Sequence, residues 1–220
     1  MVADIWNMLR FGTALRVPLK VAGRLGILVH PYYWIQEGVV EGPAPQPAGR
    51  AADYAFSFFG LDETEAIARL VPGYSARGLS SRLERGQRCL GARYRGQIAA
   101  FMWCDLGECG HKWNKRKMGD GEVYLFDMYT LKPFRGRNIA PCLRHHAYQA
   151  LRAAGCRTFY SISEFFNHPA IRFKRKLNAQ FLWVGLYIEL FGKRHWRWVI
   201  SRCDSGTSVG PAEPVSPKDD

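Results

Sequence analysis

The stretch LKPFRGRNIAPCLRHH, residues 131–146, decides how this chain is read. It sits where an apolar run, EVYLFDMYTL (122–131), gives way to a helical pattern, and it puts Arg135, Gly136, Arg137 and Asn138 at the joint. A helix start carries N–H groups with no intrahelical acceptor, so small residues and cations placed there make an anion site. Its upstream neighbour is a buried strand by continuous apolar composition. Downstream, Ile139, Leu143, Ala147, Ala150 and Leu151 keep helical spacing, and Gly155 stands where a C-cap glycine belongs. CRTFYSISEFF is the next strand, which completes a strand–helix–strand crossover.

Further out, HPAIRFKRKLN is a short helix with Asn167 as N-cap and Pro169 in its first turn. FLWVGLYIELFGKRHWRWVIS supplies one or two final strands. On the N-terminal side, DYAFSFFG is a strand. The next 26 residues are helical from Asp62 as N-cap, with Glu65 following, and Pro72-Gly73 splits them in two. RCLGARYR and IAAFMWCDLG form a hairpin turning at Gly96-Gln97. GECGHKWNKRKMGDG (107–121) lacks periodicity and reads as a loop, and EGPAPQPAGRAAD (41–53) as a linker or long loop. The sum is an α/β mixed sheet, mostly antiparallel, with one central crossover and helices on both faces.

Residues 1–34 form a separate leader in which Arg16, Lys20 and Arg24 fall on one helical stripe. It is expected to be a helix or helix pair, either packed on the main domain or offering a basic amphipathic surface to a membrane or an acyl chain. The main domain then runs over 35–203, and the proline-bearing tail 204–220 is expected to be disordered. No apolar run is long enough to span a bilayer and no signal peptide is visible, so a cytoplasmic location is expected, with peripheral membrane contact through the leader as an option.

The chain carries 31 Lys and Arg against 19 acids, a net charge of +12. That balance suits an anionic partner: a phosphorylated cofactor, an acidic carrier protein, a lipid surface or nucleic acid. The six cysteines show no secretory framework and are expected to be reduced. Cys104, Cys109 and His111 lack a fourth ligand at zinc-like spacing, so no metal site is assigned.

The element order and two local patterns resemble the GNAT acyltransferase superfamily over about residues 52–200. At the joint, that family has Arg or Gln, two residues, Gly, one residue, then Gly or Ala; here the stretch is Arg135, Gly136, Arg137, Asn138, Ile139 and Ala140. The second pattern, NHPAIRFKRKLNAQF, supplies Asn167, Ala170, Phe173 and Lys176. The resemblance implies that the joint binds the pyrophosphate and pantetheine of an acyl-CoA. Leu131, Arg135, Gly136, Arg137, Asn138, Ile139, Ala140, Asn167, Phe173 and Lys174 are then the donor-binding residues. Asn138 replaces the usual glycine, and Asn tolerates unusual backbone angles. Pro141 removes one possible phosphate donor. Lys174 stands where relatives often have the tyrosine that protonates the leaving thiolate, which leaves that role without a holder and suggests a place for Lys174 near the phosphates.

Transfer to an amine requires a neutral amine and a polarised thioester carbonyl. The resemblance suggests that a backbone N–H late in the 122–131 strand polarises that carbonyl. Asp127, the lone acid in YLFDMYT, is the first choice of general base, and Glu164, at the end of the next strand, is the second. His145 and His146 read as helix-surface or core residues. Three functional classes follow. The leading one is an N-acyltransferase that moves an acyl group from acyl-CoA to a small-molecule or peptide amine; a variant uses long chains from CoA or from an acidic acyl carrier protein. The second is a nucleic-acid binding module built on HKWNKRK and RFKRKLN, which match no known motif. The third is a catalytically silent member of the same fold.

Overall fold

The computed structural model describes residues 22–38 and 42–203. Strands β1 (Ile27–Glu37), β2 (Tyr54–Phe59), β3 (Arg88–Tyr94), β4 (Gln97–Asp105), β7 (Glu122–Thr130), β8 (Thr158–Glu164), β9 (Gln180–Leu190) and β10 (Arg194–Arg202) form one eight-stranded sheet in the order β10-β9-β1-β8-β7-β4-β3-β2. Two short strands, β5 (Glu108–His111) and β6 (Asn114–Lys117), form a separate hairpin. Within residues 42–203 the α-helices lie between the strands as α1 (Leu61–Leu70), α2 (Ala76–Glu84), α3 (Ile139–Ala153) and α4 (His168–Lys176). Only β7 and β8 run parallel, joined by α3 as the crossover. This is the expected mixed sheet.

Strand β4 is buried on both faces, and its alternation separates two cores. Ala100, Met102 and Cys104 meet Leu143, Ala147 and Leu151 of α3. Phe101 and Trp103 meet Ile67 of α1 and Leu79 of α2 on the opposite face. A strand with period-two side chains and no polar residue between its first and last positions needs a layer on each side.

The leader is not helical throughout. From Ile27 it is strand β1, which lies in the interior of the sheet between β8 and β9, so a domain boundary after residue 34 would cut a strand. Pro31 hid this, because proline is excluded from central strands. Here β1 pairs with β9 from Ile27 but with β8 only from Tyr32, so Pro31 lies where β8 has ended, and its carbonyl accepts the Phe165 N–H. The rest of the leader, residues 1–21, and the tail 204–220 lie outside the described residues.

Two smaller expectations also change. The cap of α1 is Gly60, whose N–H donates to Glu63 Oε2 at 2.8 Å, and not Asp62 with Glu65. The 107–121 loop contains the β5–β6 hairpin, which tertiary contacts hold in place of periodicity: Cys109 is buried, Trp113 stacks on His30, and Lys112 pairs with Glu189. Cys104 and Cys109 belong to different apolar clusters.

Strand β1 ends in a buried charge cluster. Glu37 accepts hydrogen bonds from Tyr148 (2.5 Å) and Ser161, and lies 3.3 Å from Arg144 Nε and 3.4 Å from Lys174 Nζ. Burial alone would raise the Glu37 pKa, but Arg144, Lys174 and the two hydroxyls outweigh it and hold it at about 2. Lys174 is also lowered, to about 8, chiefly through burial and then by the nearby Arg144, against the pull of Glu37. Two cations share one carboxylate, and that surplus of positive charge pushes both values down. Arg144 Nε and Nη1 make no hydrogen bond in the cluster. Because the folded pKa of Glu37 is depressed, its stabilisation is present above the ordinary carboxylate pKa and is lost as pH falls towards about 2. Denaturant unfolding followed across that acid range should show stability falling steeply in the wild type and much less in Glu37→Gln. The variant should already be weaker by about 3–5 kcal/mol at neutral pH, since it leaves two buried cations uncompensated.

Candidate functional site

The site grows from a defect in strand β7. Its pairing with β4 matches Phe126 to Trp103 and Tyr129 to Phe101, so Asp127 and Met128 together oppose Met102. This is a β-bulge, and Asp127 takes the left-handed conformation it requires, with φ of 50°. Regular alternation would put Asp127 on the α3 face beside Leu125. The bulge turns it to the α1–α2 face, where its carboxylate meets Tyr74 Oη at 2.6 Å and Arg82 Nη1 at 2.5 Å.

The bulge also ends the parallel pairing. Strands β7 and β8 are in register only from Glu122 with Thr158 to Leu125 with Ser161. Beyond that point they splay, and one edge of β7 is open over Phe126–Thr130. Leu131 N–H bonds Ala99 on β4, while the Thr130 carbonyl accepts Arg135 Nε at 3.1 Å. Alternation therefore points the backbone groups of Met128 and Thr130 into the splay.

One cavity, of about 670 Å³, lies at the Thr130 end, lined by Phe134, Arg135, Gly136, Asn138, Ile139, Ala140 and Pro141 at the joint and by Arg172, Phe173 and Lys176 from α4. Gly136 and Asn138 both have positive φ, 79° and 58°. A Cβ at Gly136 would meet no atom within 4 Å, so the glycine is there for its backbone angle and leaves open space in front of the helix. The first helical bond runs from Cys142 N–H to Asn138, leaving the N–H groups of Ile139 and Ala140 without intrahelical acceptors. Small residues, free donors and three cations fit a diphosphate.

The expected donor-binding residues separate here. Arg135, Gly136, Asn138, Ile139, Ala140 and Phe173 line the cavity. Arg137 does not; its guanidinium lies over Tyr94 and Phe134, and its carbonyl accepts Ala48 N–H. Leu131 packs between the two cores. Asn167 caps α4 by accepting the Ala170 N–H at 3.2 Å. Lys174 is buried, donating to Ser161 Oγ at 2.7 Å and the Ile162 carbonyl at 3.3 Å, so it stands away from the cavity. Arg172 and Lys176 supply the missing countercharge. Their spacing of four on one helix face was the signal available in the sequence. The Asn138 side chain donates to the Gln46 carbonyl and Cys142 to that of Pro45, so the proline-rich segment is strapped across the joint.

A second cavity, of about 410 Å³, lies at the other end of the open β7 edge, lined by Arg82, His111, Trp113, Tyr124, Phe126, Asp127, Ile162 and Glu164. Asp127 and Glu164 are thus brought together. Asp127 has both oxygens engaged, whereas Glu164 is exposed at the end of β8. The Tyr74 phenol is pushed up by burial and by Asp127. His111 sits below the usual histidine value through burial, Lys112 and His30, so it is neutral near pH 7. Its Nδ1 accepts Trp113 N–H at 3.2 Å, which places its proton on Nε2. His146 stacks on Phe56 in the packing of the α3 face. Of these lining residues, Arg82, His111 and Trp113 were missed, because they reach the site from α2 and from the hairpin read as a loop.

The profile of the acetyltransferase (GNAT) family matches residues 53–179. The chain belongs to the GNAT acetyltransferase family. Solved structures with the same fold include a Drosophila protein (13% identity, TM-score 0.55, covering 83% of this chain and 59% of that one). A GNAT acetyltransferase from Colwellia psychrerythraea matches at 14% identity and TM-score 0.54, over 73% and 56%. A GNAT-family structure from Novosphingobium aromaticivorans matches at 20% identity and TM-score 0.50, over 75% and 66%. The chain thus spans less than two thirds of each. No curated protein matches it. Among the described residues no His, Cys, Asp and Glu group is placed to hold a metal ion, and no helix is long and apolar enough to cross a membrane.

If the joint is the anion site, Arg135→Glu and Arg172→Glu should each weaken coenzyme A binding about tenfold or more, through loss of a charge-assisted contact. Arg137→Glu should change it far less. Calorimetric titration of the three variants with coenzyme A distinguishes these outcomes.

Proposed function

We propose that this GNAT protein is an N-acyltransferase that moves an acyl group from acyl-CoA to a primary amine. The observation that carries the reading is the open edge of β7, which joins the cationic cavity at Thr130 to the carboxylate-bearing cavity at Phe126 and Asp127. An extended donor arm can lie along that edge and use its unpaired backbone groups as an added strand does. The diphosphate rests on the joint, with Arg135, Arg172 and Lys176 as countercharges. The acyl end then reaches the bulge, where the Met128 N–H faces the splay and polarises the thioester carbonyl.

The acceptor amine occupies the second cavity. Glu164 is the general base, taking the amine proton directly or through one water. Asp127 is a positioning residue: it clamps Tyr74 and Arg82, and with them the α1–α2 layer, over the reacting end. Its pair with Arg82 cancels its charge, which leaves Glu164 as the unpaired carboxylate of the cavity. The aromatic walls, Trp113, Tyr124 and Phe126, favour an amine that is cationic before it reacts, since ring faces attract ammonium groups. Lys174, at the position of the relatives' tyrosine, is committed to Ser161 and Ile162 and does not serve as the thiol's proton donor.

A panel of amines assayed by thiol release from acetyl-CoA and longer acyl-CoAs tests the activity itself. With an accepted amine, Glu164→Gln should lower kcat by about 100-fold or more while coenzyme A affinity is unchanged. Asp127→Asn should lower thermal stability and raise KM, leaving the acid limb of the pH profile in place. A Glu164→Gln enzyme with wild-type kcat would remove Glu164 from the base role.

A further inference from the structure

Among the described residues, strand β10 is the outermost strand of the sheet, paired with β9 and with no strand on its other side. Exposed edges are normally kept short, covered or blunted with inward-facing charge. This one is nine residues long and carries apolar side chains into solvent. Trp196, Trp198, Val199 and Ile200 are all exposed, Trp198 by 48%. At the β9–β10 turn, Phe191 is 69% exposed and Leu25 66%, and they are neighbours through the bond from Phe191 N–H to the Gly26 carbonyl. Trp196 pairs with Ile188 and Trp198 with Leu186, so these four residues extend one apolar face inward from the edge.

The charge is one-sided. From Leu190 to Cys203 the chain has Lys193, Arg194, Arg197, Arg202 and His195, and no acid. A second copy of the chain is a poor partner for this edge. An antiparallel pair centred on Trp198 would set Arg194 against Arg202, like charges directly opposed. Nucleic acid would use the rings and the arginines, but not the exposed aliphatic side chains of Leu25 at the turn and of Val199 and Ile200 along the strand. Tryptophan and arginine interleaved with aliphatic side chains suit a bilayer interface, where the rings sit at headgroup depth and the guanidinium groups meet lipid phosphates. The N-terminal segment reaches the sheet at this same corner, and its first 20 residues hold Arg10, Arg16 and Lys20 against Asp4 alone. We propose that the β9–β10 edge is a docking surface for an anionic lipid membrane.

The surface is separate from both cavities, so the proposal can fail while the catalytic reading stands, and the reverse. The test is co-sedimentation of the full chain with vesicles of phosphatidylcholine alone and of phosphatidylcholine mixed with phosphatidylglycerol, at low and high salt. Wild type should bind the anionic vesicles, and binding should weaken with salt. Arg194→Gln with Arg197→Gln should weaken it by about fivefold per arginine. Trp196→Ser with Trp198→Ser should weaken it at least as much and remove the part that survives high salt. Circular dichroism and coenzyme A affinity should match wild type in both variants. Equal binding to the two vesicle types would overturn the proposal. So would retention by both variants with loss only on deleting residues 1–20, a solution dimer that the tryptophan variant dissociates, or tighter binding to arbitrary oligonucleotides than to anionic vesicles.

Discussion

A parallel strand pair that stops after four residues governs the layout of this molecule. Backbone groups at a strand edge must find partners, and a sheet normally supplies them by continuing. Here β7 keeps its bonds to β4 up to Thr130 while losing β8 after Leu125. The extra residue at Asp127 accompanies the divergence: it bends β7 at a local break in the β4 ladder, which resumes at Tyr129. Both cavities, the open edge between them and the exposed position of Glu164 follow from that one insertion.

The splay must be held open on the β8 side. Lys174 does this by donating to Ile162, the first residue of β8 past the last paired one, and to Ser161. A lysine ammonium is expensive to bury alone, so the device needs Glu37, and Glu37 in turn brings Arg144 and Tyr148 of α3 into the same cluster. The polar network thereby ties β1, β8, α3 and α4 together beneath the place where the sheet opens. Removing any one partner leaves a buried charge without its counterpart, which is why such clusters act as a unit.

Most of the fold was legible in the sequence. The run EVYLFDMYTL, the spacing in α3 and the β3–β4 hairpin each rest on local chemistry that the tertiary structure leaves unchanged, although the hairpin turns at Arg95-Gly96, one residue before the expected Gly96-Gln97, with both residues at positive φ and Gln97 already paired with Tyr94. The failures share a cause. Strand β1 contains a proline that is tolerable only because β8 ends beside it, and the β5–β6 hairpin is fixed by Trp113 stacking on His30, far away in sequence. At the candidate site, the geometry of the joint was legible because Gly136 and the helix start act locally. Arg137 and Lys174, expected among the donor-binding residues, do not line that cavity, because a residue's distance from a cavity depends on where its side chain turns. Arg137 finds aromatic rings, and Lys174 finds a carboxylate contributed by β1. The same limit applies to Asp127. Its place in the strand was clear, but its partners Tyr74 and Arg82 come from another layer.

The interior position of β1 bears on how the chain is made. Its residues precede the rest of the sheet in the chain, yet Tyr32 pairs with Glu164 and Ile27 with Leu190, more than 130 residues later. Until those partners emerge, β1 is an apolar segment, rich in aromatic residues, with both edges unpaired, and Glu37 at its end is solvated. Contacts this distant in sequence slow folding and prolong the exposure of aggregation-prone segments. The β2–β3–β4–β7 half can assemble before the half bearing β1, β9 and β10, which closes only once β9 has been made. The topology of the sheet thus leaves an aromatic segment waiting unpaired for most of the time in which the domain is made.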